Sequence, residues 1–148
     1  MKLFLCLFFF PMVLFAQDIP KGATKIIISN NLSGKENFNL AVKTLFDNDY
    51  FFEQRDSTLG YIKTQEKKVN KWTGLYFLNV RAKDNKIELS GMFKTGIEIN
   101  TGLVTMADEY DTLQNKGAKN SLFRMAFEQM DLIASKFIGS RTYQLAEN

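Results

Sequence analysis

The chain has 148 residues, of which 45 % are hydrophobic and 24 % charged, and 19 basic against 16 acidic side chains leave a net charge of +3. This length and composition fit one globular domain with one core and exclude a disordered chain. The charge is too small and too dispersed for a nucleic-acid-binding protein.

The N-terminus begins with Met1 and Lys2, followed by an apolar run from Leu3 to Phe15 broken only by Pro11, and then the small residue Ala16. This is the pattern of a secretory signal peptide over residues 1–16, with residues 17–148 as the mature domain. The run falls short of the ~20 apolar residues that a membrane span needs, so no transmembrane segment is expected after cleavage. The expected location is the periplasm, or the exterior if the protein is secreted. Cys6, the only cysteine, lies inside the apolar run, too early for a lipidation site, and would be lost with it. The mature domain would then hold neither cysteine nor histidine. Histidine-dependent triads, cysteine nucleophiles and Cys/His zinc sites are thereby removed.

Residues 23–29, ATKIIIS, are a β-branched run that reads as a first strand. Ser33 and Glu36 have capping-box spacing. Phe38, Ala41, Val42, Leu45 and Phe46 then recur with helical period, predicting a helix over 34–47 with Asn48 as its left-handed end. YFFEQRD and GYIKTQE read as two strands joined by a turn over Asp56 to Gly60. KKVNK reads as a polar connector. WTGLYFLNVRAK reads as the longest strand, with Trp72, Gly74, Tyr76, Leu78, Val80 and Ala82 on one face and Thr73, Leu75, Phe77, Asn79 and Arg81 on the other. A turn at Asp84 and Asn85 leads to IELSGMFKT, which alternates Ile87, Leu89, Gly91 and Phe93 against Glu88, Ser90, Met92 and Lys94. Residues 97–104 read as a short edge strand and 105–119 as a long loop. Ser121 opens a last helix whose apolar stripe runs to Ile138, with Gly139 as its stop.

The expected order is β-α-β-β-β-β-α. It implies an α+β fold with an antiparallel sheet of about five strands and both amphipathic helices on one sheet face. The other face would be open, or half covered by residues 97–119. It would present Phe51, Arg55, Tyr61, Lys63, Leu75, Phe77, Arg81, Met92 and Lys94, a set of aromatic, apolar and cationic groups suited to a partner surface.

The remaining polar groups form no recognisable catalytic or metal pattern. Asp47, Asp49 and Asp56 lack the calcium-loop spacing, because Phe51 and Phe52 fall where ligands and glycine belong. Asp108, Glu109 and Asp111 read as solvated loop acids. GAKNS lacks the spacing of a phosphate-binding loop. Glu53 and Glu88 both fall on the open face, and a glycosidase would need two such acids roughly 5–10 Å apart. No cofactor and no metal are expected.

Residues 36–65 follow a pattern of helix, then aromatic-x-aliphatic, then Asp-x-x-x-Gly-x-aliphatic-x-Thr, filled here by Tyr50, Phe52, Asp56, Gly60, Ile62 and Thr64. This resembles the repeated domain of BamC-type lipoproteins of the outer-membrane assembly machine. It is also similar to small exported Bacteroidota proteins with a TATA-binding-protein-like (TBP-like) β-α-β4-α fold, whose last helix KGAKNSLFRMAFEQMDLIA resembles. The resemblance implies that fold and an envelope location, and it transfers no catalytic residue. The expectation is a non-enzymatic periplasmic protein that binds another envelope component through the open sheet face. The alternatives are a carrier of a small apolar ligand held between helices and sheet, with Trp72 beside it, or a carboxylate-dependent hydrolase.

Overall fold

A computed structural model describes residues 18–69, 73–96, 99–100, 105–106 and 109–146. Strand β1 (Ala23–Ser29) forms on its isoleucines. Ala23, Ile26 and Ile28 turn into the core, and a bulge at Thr24 leaves Lys25 and Ile27 on the opposite side. Helix α1 (Gly34–Phe46) starts at the expected capping box: the Ser33 hydroxyl accepts from Glu36 N, and the Glu36 carboxylate accepts from Ser33 N at 2.9 Å. The Ser33 hydroxyl also donates to the Glu36 carboxylate at 2.6 Å, and that bond first, the Ser33 backbone N–H second, holds Glu36 below the usual carboxylate range.

The end of α1 differs from expectation by one residue. The left-handed position is Asp49 (φ 61°), not Asn48. Asn48 instead donates its side-chain amide to Thr44 O at 2.8 Å, satisfying a carbonyl of the last turn. The short turn at 47–49 then redirects the chain into the sheet.

Strands β2 (Phe52–Asp56) and β3 (Tyr61–Thr64) form a hairpin. In its turn the Asp56 carboxylate accepts from Thr58 N and Leu59 N, both at 2.9 Å, and Gly60 takes φ +63°. The expected polar connector is more than that. It holds β4 (Lys67–Lys68), which pairs with the next strand, and Val69, which is fully buried. β5 (Leu75–Lys83) and β6 (Lys86–Lys94) make the central hairpin, with Asn85 at φ 63°. β5 begins at Leu75 rather than at Trp72, which lies outside the described residues.

The expected edge strand at 97–104 takes another form. β7 (Ile99–Asn100) and β8 (Thr105–Met106) pair only with each other, and the rest of that stretch lies outside the described residues. Residues 105–119 are not all loop, because β9 (Asp111–Thr112) pairs with β6 at Met92 and Phe93.

Helix α2 (Leu122–Ala134) is capped by the Ser121 hydroxyl and ends at Ser135, four residues before the expected glycine stop. Phe137 is buried beyond the helix end, whereas Ile138 is exposed. Gly139 serves a different purpose. A Cβ there would sit 2.3 Å from Ser29 O, so the glycine lets the chain pass close to β1 and enter β10 (Ser140–Leu145).

The main sheet runs β10-β1-β6-β5-β3-β2. β4 extends the sheet beside β5, and β9 extends it beside β6. All pairs are antiparallel. The fold is therefore α+β as expected, but its sheet has eight strands rather than about five, because β4, β9 and β10 join it.

α1 packs on β5 and β6, and α2 on β6 and β1, so both helices lie on one face. Between helices and sheet, Tyr76, Phe93, Phe127, Ile26, Leu45, Leu78 and Met130 are among the fully buried side chains. Burying one such side chain contributes roughly 1.5–3 kcal/mol. Polar atoms in this layer are partnered. Tyr50 and Tyr76 share a hydroxyl hydrogen bond of 2.8 Å. Buried Asn37 exchanges amide bonds with Asn30 and donates to Lys83 O at 2.8 Å, tying α1 to the β5–β6 hairpin.

Candidate functional site

Strand alternation sorts the sheet residues between two faces. Cross-strand rows on the face away from the helices follow from the register: Tyr61–Arg81–Glu88–Ile27–Thr142, then Lys63–Asn79–Ser90, then Phe77–Met92–Thr112, then Leu75–Lys94. Seven of the residues expected there, Tyr61, Lys63, Leu75, Phe77, Arg81, Met92 and Lys94, do come together.

Arg55 does not, and Phe51, which stands before β2, lines hollows at the sheet edge. A bulge between Phe52 and Gln54 shifts the alternation of β2 by one, so Arg55 opposes buried Ile62 and falls on the helix side. An extra residue in one strand reverses the facing of everything beyond it. Arg55 there lies over the Phe52 ring, 5.0 Å from its centroid. Phe51, Arg55, Val42, Phe46 and Phe52 help line a groove of about 420 Å³ between α1 and β2.

The outer face has two unlike halves. Over the apolar half lies Tyr110, just before β9, as the long-loop reading allowed. Tyr110 packs edge-on against Phe77 with ring centroids 5.2 Å apart, and the Lys94 ammonium lies 4.5 Å from the Tyr110 centroid. The Tyr110 hydroxyl donates to the Glu66 carboxylate, which also pairs with Lys94 at 3.4 Å. That hydroxyl bond, against some burial and with help from the Lys94 charge, holds Glu66 below the usual carboxylate range. Lys63 lies over the other side of this cluster, 4.6 Å from the Phe77 centroid and 3.0 Å from Glu53. The Glu53 bond holds Lys63 above the ordinary lysine range.

The polar half is uncovered by any described segment. There Lys25, Tyr61, Asn79, Arg81, Glu88 and Ser90 line a hollow of about 330 Å³. Tyr61 donates its hydroxyl to Asn79 Oδ1 at 2.8 Å. Glu88 is mostly buried, which works to raise its pKa. Hydrogen bonds from Lys86 (2.8 Å) and Lys83 (3.2 Å), with their charges, outweigh burial and keep it below the usual range. Arg81 and Lys25 form no ion pair or hydrogen bond with any described side chain.

The alternation of residues 79 and 90 already placed Asn79 and Ser90 on this face, though not as members of a site. Lys25 was missed. Its signal was the same alternation: with Ile26 and Ile28 inward, Lys25 and Ile27 must face outward.

The geometry bears on the other expectations. Glu53 and Glu88 stand on β2 and β6, three strand spacings or about 14 Å apart, and each is paired with lysine. They are not a facing pair of acids. Asp47 ends α1 through its backbone N–H, and the Asp56 carboxylate holds the β2–β3 turn. The space between helices and sheet is occupied by buried side chains, and the apolar groove lies outside it, at the α1–β2 edge. Among the described residues, no group of three or more acids converges as a metal site, and no helix is long and apolar enough to cross a membrane. No protein-family model matches the chain, and no curated protein is significantly similar to it in sequence.

Proposed function

We propose that this chain is a non-catalytic periplasmic protein that binds another envelope component through the open face of its sheet. One observation carries the reading. The helices cover one sheet face only, and the β3–β5–β6–β1 part of the other face carries Lys25, Arg81, Lys83 and Lys86 around a single carboxylate, Glu88. A cationic surface beside an apolar cluster at Phe77 and Tyr110 is the composition that recognises an acidic partner. The export signal over residues 1–16 and the resemblance of the Tyr50–Thr64 hairpin to BamC-type and TBP-like envelope domains support the location and the kinship.

Site-specific photo-crosslinking tests this. A photoreactive residue at position 81 or 83 should give discrete adducts in intact cells. The same residue at Lys35 or Glu128, both exposed on the helix side, should not. Absence of adducts from the sheet positions, or the same adducts from both sides, would refute the proposal.

A further inference from the structure

We infer that the polar hollow on the open face binds a small hydroxylated anion, a sugar acid or sugar phosphate, with Arg81 and Lys25 holding the anionic group. The inference deepens the docking proposal and rests on it only for the choice of face.

The first observation is an imbalance in pairing. Of the other cations of this face, Lys63 pairs with Glu53, Lys83 and Lys86 with Glu88, and Lys94 with Glu66, while Lys68, opposite Leu75 at the far end of the face, is solvent-exposed. Among the described residues lining the hollow, the two cations, Arg81 and Lys25, have no such partner. Arg81 is the direct cross-strand partner of Glu88, where opposite charges ordinarily pair. It does not do so here; Glu88 pairs instead with the two lysines, Oε1 accepting from Lys83 and Lys86 and Oε2 from Lys83. The one carboxylate in the hollow is thus neutralised from its far side. Two cations remain uncommitted at the near side.

The second observation is the chemistry of the remaining wall. Ser90 has an unengaged hydroxyl. Asn79 accepts from Tyr61 through Oδ1, which leaves its amide N–H groups free. Neutral donors and acceptors beside two cations match hydroxyls beside an anionic oxygen group. The guanidinium fork fits either carboxylate or phosphate in two-pronged fashion, and lysine adds a point charge. A volume of about 330 Å³ lies near the lower bound of ligand sites and suits one sugar-sized molecule.

The test is a titration of the 15N-labelled protein, followed by amide shifts, with glucuronate, glucose 6-phosphate, glucose and inorganic phosphate at low ionic strength. Saturable shifts confined to the strands around Lys25, Asn79, Arg81 and Ser90 are expected with glucuronate or glucose 6-phosphate. Glucose and inorganic phosphate should bind more weakly. Arg81→Gln should weaken binding at least about tenfold, since it removes a charge-assisted pair, and Lys25→Gln should weaken it less. Arg124→Gln, on α2 across the sheet from the hollow, should change nothing. Three results would overturn the inference: no saturable shift with either sugar anion, equal binding of inorganic phosphate, or undiminished binding by Arg81→Gln. Crosslinks from position 81 without anion binding would overturn this site and leave the docking proposal standing. Anion binding without crosslinks would do the reverse.

Discussion

Replacing Tyr50 or Tyr76 by phenylalanine removes one oxygen from a pair that has no other side-chain partner. The two hydroxyls lie 2.8 Å apart, Tyr76 fully buried and Tyr50 5 % exposed. Burial, the larger influence on each, raises both above the ordinary tyrosine range. The arrangement with fewest unmet donors has Tyr76 donating and Tyr50 keeping its own hydrogen for the solvent edge. Tyr50→Phe therefore strands a hydroxyl in the core, at a cost of about 2–3 kcal/mol, the upper part of the range for an unsatisfied buried group. Tyr76→Phe leaves the Tyr50 hydroxyl some access to water, at about 1 kcal/mol. The double variant removes both polar atoms and keeps the edge-on ring contact at 6.4 Å, so its cost should be no more than about 1 kcal/mol. The expected coupling is then about 2–3 kcal/mol in favour of the double variant. Urea unfolding of all four proteins measures it. With a slope of roughly 1–3 kcal/mol/M, Tyr50→Phe should lower the midpoint by about 1 M or more while the double variant stays near wild type. Single effects that simply add would refute the reasoning.

Two further outcomes follow from the same geometry. Gly60→Ala should cost more than about 2 kcal/mol, because the left-handed backbone alone costs an L-residue about 1–2 and the new Cβ would meet Ala82 O at 2.2 Å. The check is the unfolding midpoint beside a Ser57→Ala control in the same turn, and equal midpoints would count against it. Tyr143 is raised to about 12, first by burial and then by its hydrogen bond to Asp131 and that carboxylate's charge. A tyrosine whose folded pKa exceeds its unfolded value of about 10 binds its proton more tightly when folded. Its contribution is full below pH ~10 and is lost as pH rises through about 12. Tyr143→Phe should make the alkaline fall in stability shallower, and an unchanged fall would show that Tyr143 does not contribute.

Where neighbouring residues alone decide a conformation, the chain reads plainly. Ser33 and Glu36 cap α1, Asp56 and Gly60 make the turn, and the alternations from Leu75 to Ala82 and from Ile87 to Lys94 put each residue on the face expected. What was not legible depends on distant pairing. Arg55 sits on the helix side because of one extra residue opposite Lys63, and nothing in FEQRD announces that bulge. Val69 looks like part of a polar connector until β4 is placed beside β5. The site suffered similarly: Lys25 is separated in sequence from Arg81 and Ser90, and only β1 lying against β6 brings them to one hollow. The strand SRTYQL was overlooked because an edge strand needs no apolar run. Its inward residues, Arg141 and Tyr143, reach Asp131 of α2 instead.

That last strand has a consequence for how the chain is assembled. β1 lies near the start of the domain, yet its two neighbours are β6 and β10, with Ile28 opposite Ile87 on one side and Arg141 on the other. No contact local in sequence can flank it. Such separations slow folding, because long loops must close before the pairing rewards them. A chain emerging from its N-terminus must therefore hold Ile26 and Ile28 without their full setting until its last six-residue strand appears. The core around β1 is thereby completed only once β10 has been made.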